Sequence, residues 1–165
     1  NPTGYAAAFR RVVTVMRSVP GAQHLRFVWN IGRAGGPPPV AAYPGDAYVD
    51  IIGMDVYDRS YKAQYANPVV RWNQFMNDDS GFLWHRNFAR AHGKPMAFSE
   101  WGLSSKHVSQ ANPDNTLFIA NFVAWVKAND VVYANYFERD TNQRSRLIHY
   151  PRSAALYKTL VKQLG

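Results

Sequence analysis

The sequence predicts an α/β fold: a parallel sheet of strand–helix units shaped like part of a closed barrel. Three observations predict it. Short, nearly continuous apolar runs alternate with longer segments whose apolar residues recur at helical spacing, which is the pattern of βα units. Parallel strands of that apolar kind need cover on both faces. The predicted helices cover one face only, so inner-face residues lack partners within the 165 residues, as if a barrel had been cut in two.

Each element has its own signal. Segment 2–19 opens on Pro2 and Thr3, carries Tyr5, Phe9, Val12, Val13 and Met16 at helical spacing, and is ended by Pro20-Gly21. Leu25–Asn30 reads as the first strand. The run from Gly32 to Pro39 is too rich in glycine and proline for regular structure, and Tyr43-Pro44-Gly45-Asp46 is a turn signal. Val49–Tyr57 is the second strand. A polar, aromatic-rich loop follows over 58–80, with a short helical turn around Val69–Phe75. Phe82–Ala91 is an amphipathic helix that Gly93 ends as a left-handed cap. Pro95–Ser99 is the third strand, with Glu100 where it runs out. Asn112-Pro113-Asp114 opens a helix carrying Leu117, Phe118, Phe122, Trp125 and Val126. Val131–Phe137 is the fourth strand, and Pro151–Leu164 closes the chain as a helix with Leu156, Leu160 and Leu164 in register. The expected order is a helix and then four strand–helix units.

Composition narrows the function classes. The length fits one domain with a core. With no cysteine, disulfide scaffolds, thiol catalysis and thiolate metal sites are excluded. No apolar run approaches the roughly 20 residues of a membrane span, and no signal peptide is visible, so the chain reads as a mature domain or a piece of one. The net charge of +8 is spread along the sequence; the nearest approach to a cluster is Arg139, Arg144, Arg146 and Arg152. A solvated basic surface accounts for it better than nucleic-acid binding.

The residue that draws chemistry is Glu100, a carboxylate at the end of a buried-looking strand, where α/β barrels assemble their sites. Such an acid is costly unless paired or hydrogen-bonded. Alternation along 49–57 puts Gly53, Asp55 and Tyr57 on one face, so the Tyr57 phenol is a candidate donor to Glu100, or else a core tyrosine with a wet hydroxyl. Asp55 lies deeper and suits an internal hydrogen bond. Glu138 shares a face with Tyr136 and is placed to reach a substrate, as a binding group or as an acid. Trp29 and Trp101, and after them Tyr61, Tyr65 and Trp72, sit at strand ends or in loops as stacking surfaces for a sugar or a base, or as core residues. Asp58, Asp78 and Asp79 read as solvated loop acids. His24, His85, His92, His107 and His149 show no zinc spacing and read as surface or capping residues. Gly32, Gly35 and Gly36 lack the context of a phosphate loop.

Three stretches carry a resemblance: Phe27-Val28-Trp29-Asn30, the run from Tyr43-Pro44-Gly45-Asp46 to Asp55-Val56-Tyr57, and Gly93-Lys94-Pro95 through Glu100-Trp101-Gly102. Together they resemble glycoside hydrolase family 26, the endo-β-mannanases and related β-glycanases on a (β/α)8 TIM-type barrel. The resemblance covers the whole chain as the second half of such a barrel, roughly strands 5 to 8. It implies that Glu100 is the nucleophile at the end of strand 7, that Tyr57 on strand 6 hydrogen-bonds it and helps set its ionisation, and that Tyr136 stands where the family often has a tryptophan platform. The family's acid/base glutamate belongs to a His-Glu motif on strand 4. No His-Glu pair occurs in this sequence, and strand 4 would lie upstream of Asn1.

The resemblance thus implies a retaining β-glycoside hydrolase acting on a β-linked polysaccharide such as mannan, incomplete in this chain. It implies no cofactor and an extracellular setting. The expected partners are a polysaccharide or oligosaccharide and either the N-terminal half of the barrel or a second copy covering the inner sheet face, with no nucleic acid and no membrane. The alternative is a non-catalytic carbohydrate-binding half-barrel with an aromatic cleft.

Overall fold

The computed structural model describes residues 1–33, 36–59, 66–105, 114–141 and 144–163. Tyr61, Tyr65, His107, Gly35, Asn112, Pro113 and Leu164, all named above, lie outside the described residues. Four parallel strands form one sheet: β1 (Val28–Gly32), β2 (Ile51–Asp58), β3 (Met96–Leu103) and β4 (Val131–Tyr136), side by side in chain order. Crossovers that always step the same way lay their helices on one face. A barrel wall has that arrangement; a doubly wound sheet reverses its order and covers both faces.

The helices are α1 (Pro2–Arg17), α2 (Pro68–Asn77), α3 (Phe82–Ala91), α4 (Thr116–Ala128) and α5 (Pro151–Val161). Their starts follow local chemistry. The side chain of Asn1 accepts from Gly4 N ahead of Pro2, and that of Asn67 accepts from Val69 N and Val70 N ahead of Pro68. The expected left-handed cap after α3 is present: Gly93 has φ 61, with Gly93 N donating to Arg90 O and Lys94 N to Ala89 O. The start of α4 differs from expectation. Asn115 caps it by accepting from Phe118 N, while Asp114 accepts from Arg152 N and Ser153 N at the head of α5. The two adjacent side chains thus tie the starts of both helices together.

Two expectations about the order of elements need correction. Between β1 and β2 the described residues hold a 3-10 turn, Val40–Ala42, in place of a helix, and the 58–80 region carries a ten-residue α2 where only a helical turn was expected. The helix–sheet core is one cluster, with Trp29, Ile52, Met54, Val56, Phe98 and Trp101 from the sheet meeting Phe75, Phe82, Phe118 and Phe122 from the helices. Among the described residues no helix is long and apolar enough to cross a membrane.

Candidate active site

β2 alternates as its sequence predicts. Ile52, Met54, Val56 and Asp58 are buried on the helix side, and Gly53, Asp55 and Tyr57 take the other face. β3 does not alternate strictly. Gly53 pairs with Ala97 and Asp55 with Glu100, so β3 takes three steps where β2 takes two. That extra residue is a β-bulge, a device that re-aims side chains. Phe98 and Trp101 both face the helices, Phe98 against Phe82 and Phe122, Trp101 stacked on Phe122 with ring centroids 3.9 Å apart. Ser99 and Glu100 between them both face the inner side. Glu100 therefore lies inside an eight-residue strand, not past its end as expected.

The bulge brings Glu100 to Tyr57. The phenol donates to Glu100 Oε2 at 2.6 Å, a length typical of a bond onto a charged acceptor. Burial raises the Tyr57 phenol above its ordinary range, and the hydrogen bond to Glu100 and its charge raise it further, so the hydroxyl keeps its proton as donor. Arg59 opposes that rise, its guanidinium lying 4.5 Å from the Tyr57 ring centroid. Phe137 meets the same ring edge-on at 5.9 Å.

Below this pair the inner face is polar. Burial raises the Asp55 carboxyl from its ordinary value; the Asn30 side chain offsets part of that, and the charge on Glu100 adds to it. Ser99 Oγ lies 3.2 Å from the Tyr133 hydroxyl. Gly53 makes room for all of this, because a Cβ there would fall 2.7 Å from Val28 Cγ1 and 3.1 Å from Ser99 Oγ and collide with Asn30 Oδ1.

Of the residues singled out in the sequence, the structure brings together Glu100, Tyr57 and Asp55. It places the others elsewhere. Trp29 and Trp101 are each 1% exposed within the helix–sheet core, so protein atoms occupy the ring faces a sugar would need. Trp72 packs on Phe75, Phe82 and Phe118. Tyr136 lies against Trp101 and Tyr157, and its hydroxyl donates to Ser145 O and accepts from Leu103 N. It is in register with Trp101 and shares that residue's side of the sheet. The Glu138 carboxylate accepts from Leu147 N and supports the chain before α5.

Two residues read as surface groups are buried. Asp58 is not a solvated loop acid: it is fully buried, paired with Arg71 and accepting from Asn115 Nδ2. His85 is not at the surface: it is 0% exposed, with Nε2 donating to Ile52 O at 2.8 Å. Phe137, Arg59 and Ser99 are the site residues sequence reasoning missed. The alternation Tyr133, Asn135, Phe137 was the available signal for Phe137; the other two depend on the bulge and on the turn after β2. Among the described residues no three His, Asp or Glu side chains gather as a metal site would need.

Residues 1–83 match the model of glycosyl hydrolase family 26. A mannan endo-1,4-beta-mannosidase of Bifidobacterium adolescentis is 28% identical over 107 residues, covering 61% of this chain and 10% of that protein. Among solved structures, the GH26C protein of Muricauda sp. MAR_2010_75 superposes with TM-score 0.65 at 21% identity, over 96% of this chain and 41% of that one. A GH26 beta-mannanase of Bacteroides ovatus gives TM-score 0.63 at 16% identity, over 96% and 43%. The catalytic domain of a GH26 endo-beta-1,4-mannanase of Bacillus sp. JAMB-750 gives 0.60 at 22%, over 96% and 44%. The chain thus spans a tenth of the curated relative and about two fifths of these structures. At these identities the structural likeness speaks for the fold.

Proposed function

The chain belongs to glycosyl hydrolase family 26, and from that premise we propose that it is the strand 5–8 portion of a retaining β-glycanase acting on a mannan-type polysaccharide, with Glu100 as the attacking carboxylate. The observation that carries the reading is the Tyr57–Glu100 hydrogen bond on the inner face of a parallel sheet. In this reading Tyr57 fixes Oε2 and leaves Oε1 to attack the anomeric carbon. The bond from that carbon to the departing sugar oxygen breaks, and that oxygen takes a proton from an acid. Water then cleaves the glycosyl ester, returning a proton to the same acid and freeing Glu100.

The acid has to come from elsewhere. Retention needs two carboxyl groups about 5–5.5 Å apart. Glutamate occurs here only at 100 and 138, and Glu138 is spent on Leu147 N. Asp55 pairs with Glu100 in the strand register, one inner-face position before Tyr57, where it serves the electrostatics of the site. The second carboxyl group therefore belongs to the strands that complete the barrel, which also cover the inner face. Phe137, beside Tyr57, replaces Tyr136 as the aromatic surface offered to a sugar. A polymer of this kind is met outside the cell, which suits an extracellular enzyme.

The test is turnover of β-1,4-mannan by the 165-residue chain alone and when joined to the remaining barrel of a family member. The expected outcome is no hydrolysis by the chain alone, hydrolysis by the completed barrel, and loss of it in Glu100→Gln. Oligosaccharide binding without turnover in the completed barrel would overturn the enzyme reading in favour of a carbohydrate-binding half-barrel.

A further inference from the structure

We propose that Arg59 is a positioning residue for Glu100 that acts through Tyr57, holding the phenol against the carboxylate. The inference rests on the reading of Glu100 as the attacking group, and it concerns a residue outside the hydrogen bond itself.

The end of β2 is built to do this. Asp58 is pinned in the core by Arg71 and by Asn115 Nδ2, both it and Arg71 having 0% side-chain exposure. Period-two alternation about that anchor sends the side chains before and after it, Tyr57 and Arg59, to the opposite face. Arg59 N then donates to Tyr57 O at 2.8 Å, a bond that folds the chain back as the strand ends. The fold-back lays the guanidinium over the ring two residues earlier, 4.5 Å from its centroid. Phe137 closes on the same ring edge-on.

The ring is therefore held by a cation and an aromatic edge while its hydroxyl spans 2.6 Å to Glu100 Oε2. The guanidinium also draws on the ring's electrons, which makes the phenol a better donor to a carboxylate. Among the described residues Arg59 Nε is buried without a hydrogen-bond partner, so what Arg59 meets on this side is the face of Tyr57.

The test uses the chain itself, since only two glutamates are present. Labelling glutamate with 13C at the side-chain carboxyl gives two resonances, assigned by Glu138→Gln. At neutral pH, Tyr57→Phe displaces the Glu100 resonance. Arg59→Ala is expected to displace it in the same direction by roughly a third as much, the ratio of a cation–π contact to a hydrogen bond onto a charge. Arg59→Lys, which keeps a cation on a flexible stem, restores most of the parent position. In the Tyr57→Phe background Arg59→Ala adds nothing, and the Glu138 resonance stays put throughout as the control for an intact fold. An unmoved Glu100 resonance in Arg59→Ala would overturn the proposal. So would a displacement that persists undiminished in the Tyr57→Phe background, since Arg59 would then act by its charge alone. The measurement needs no turnover, so its failure and that of the glycosidase reading are separate results.

Discussion

Tyr57 and Glu100 stand 43 positions apart in sequence, yet the phenol of one lies 2.6 Å from the carboxylate of the other, on neighbouring parallel strands. A hydrogen bond onto a charge is worth about 1.5–3 kcal/mol. In a completed barrel, Tyr57→Phe should therefore lower kcat by about 10- to 100-fold, measured by reducing-sugar release from mannan. An unchanged kcat would separate Tyr57 from the chemistry.

Asp58 and Arg71 form an ion pair with no solvent exposure on either side chain. Breaking such a pair leaves a buried charge, so Asp58→Asn is expected to cost about 3–5 kcal/mol in urea unfolding. A loss below about 1 kcal/mol is what a solvated pair would give and would contradict the burial.

His85 sets an acid limit. Burial pushes its imidazole down from the usual value to about 4, so the folded state keeps it neutral while the unfolded chain protonates it near pH 6.5. The unfolded state thus binds the extra proton between those values. The stability from this site is whole above about pH 6.5 and is lost as pH falls toward 4, about 3 kcal/mol in all. His85→Gln should flatten that part of the pH–stability curve; an equally steep curve in the variant would assign the acid sensitivity elsewhere.

Gly53 is surrounded by Asn30, Val28 and Ser99. Gly53→Ala is expected to destabilise the chain by about 1–3 kcal/mol through overpacking, with a matching drop in thermal midpoint. A neutral result would show that the inner face has slack beside the bulge.

Trp101 and Phe137 have opposite expectations. Trp101→Ala removes a ring stacked on Phe122 in the core and should cost about 3–5 kcal/mol of stability. Phe137→Ala should cost less stability and weaken oligosaccharide binding to a completed barrel, as read by calorimetry. Weakened binding without lost stability in Trp101→Ala would return that residue to the sugar cleft.

Much of the fold was legible because its signals are local. Helix starts are marked by Asn and Pro, the end of α3 by Gly93, and β2 by a period-two run that put Asp55 and Tyr57 together. The losses came where a long-range contact overrides local pattern. Trp29 and Trp101 look like loop-edge platforms until α3 and α4 are laid over them. Asp58 looks solvated until Arg71, on the following helix, reaches back to it. Tyr136 and Glu138 share a face in the sequence pattern, but Tyr136 turns toward α5 and Glu138 is taken by Leu147.

The sequence by itself determined that Tyr57 and Glu100 belong to successive strands of a parallel sheet, since apolar runs and helical spacing are local signals; that the two strands are neighbours was implied by the family resemblance. Only the tertiary structure decided that they meet. Strict alternation from Phe98 would turn Glu100 toward the helices. The bulge at Ser99–Glu100 turns it to the inner face, because β3 must match the register of β2 on one side while Phe98 and Trp101 both bury against α4 on the other. That compromise between two neighbours is a property of the packed sheet and has no counterpart in a single strand's sequence.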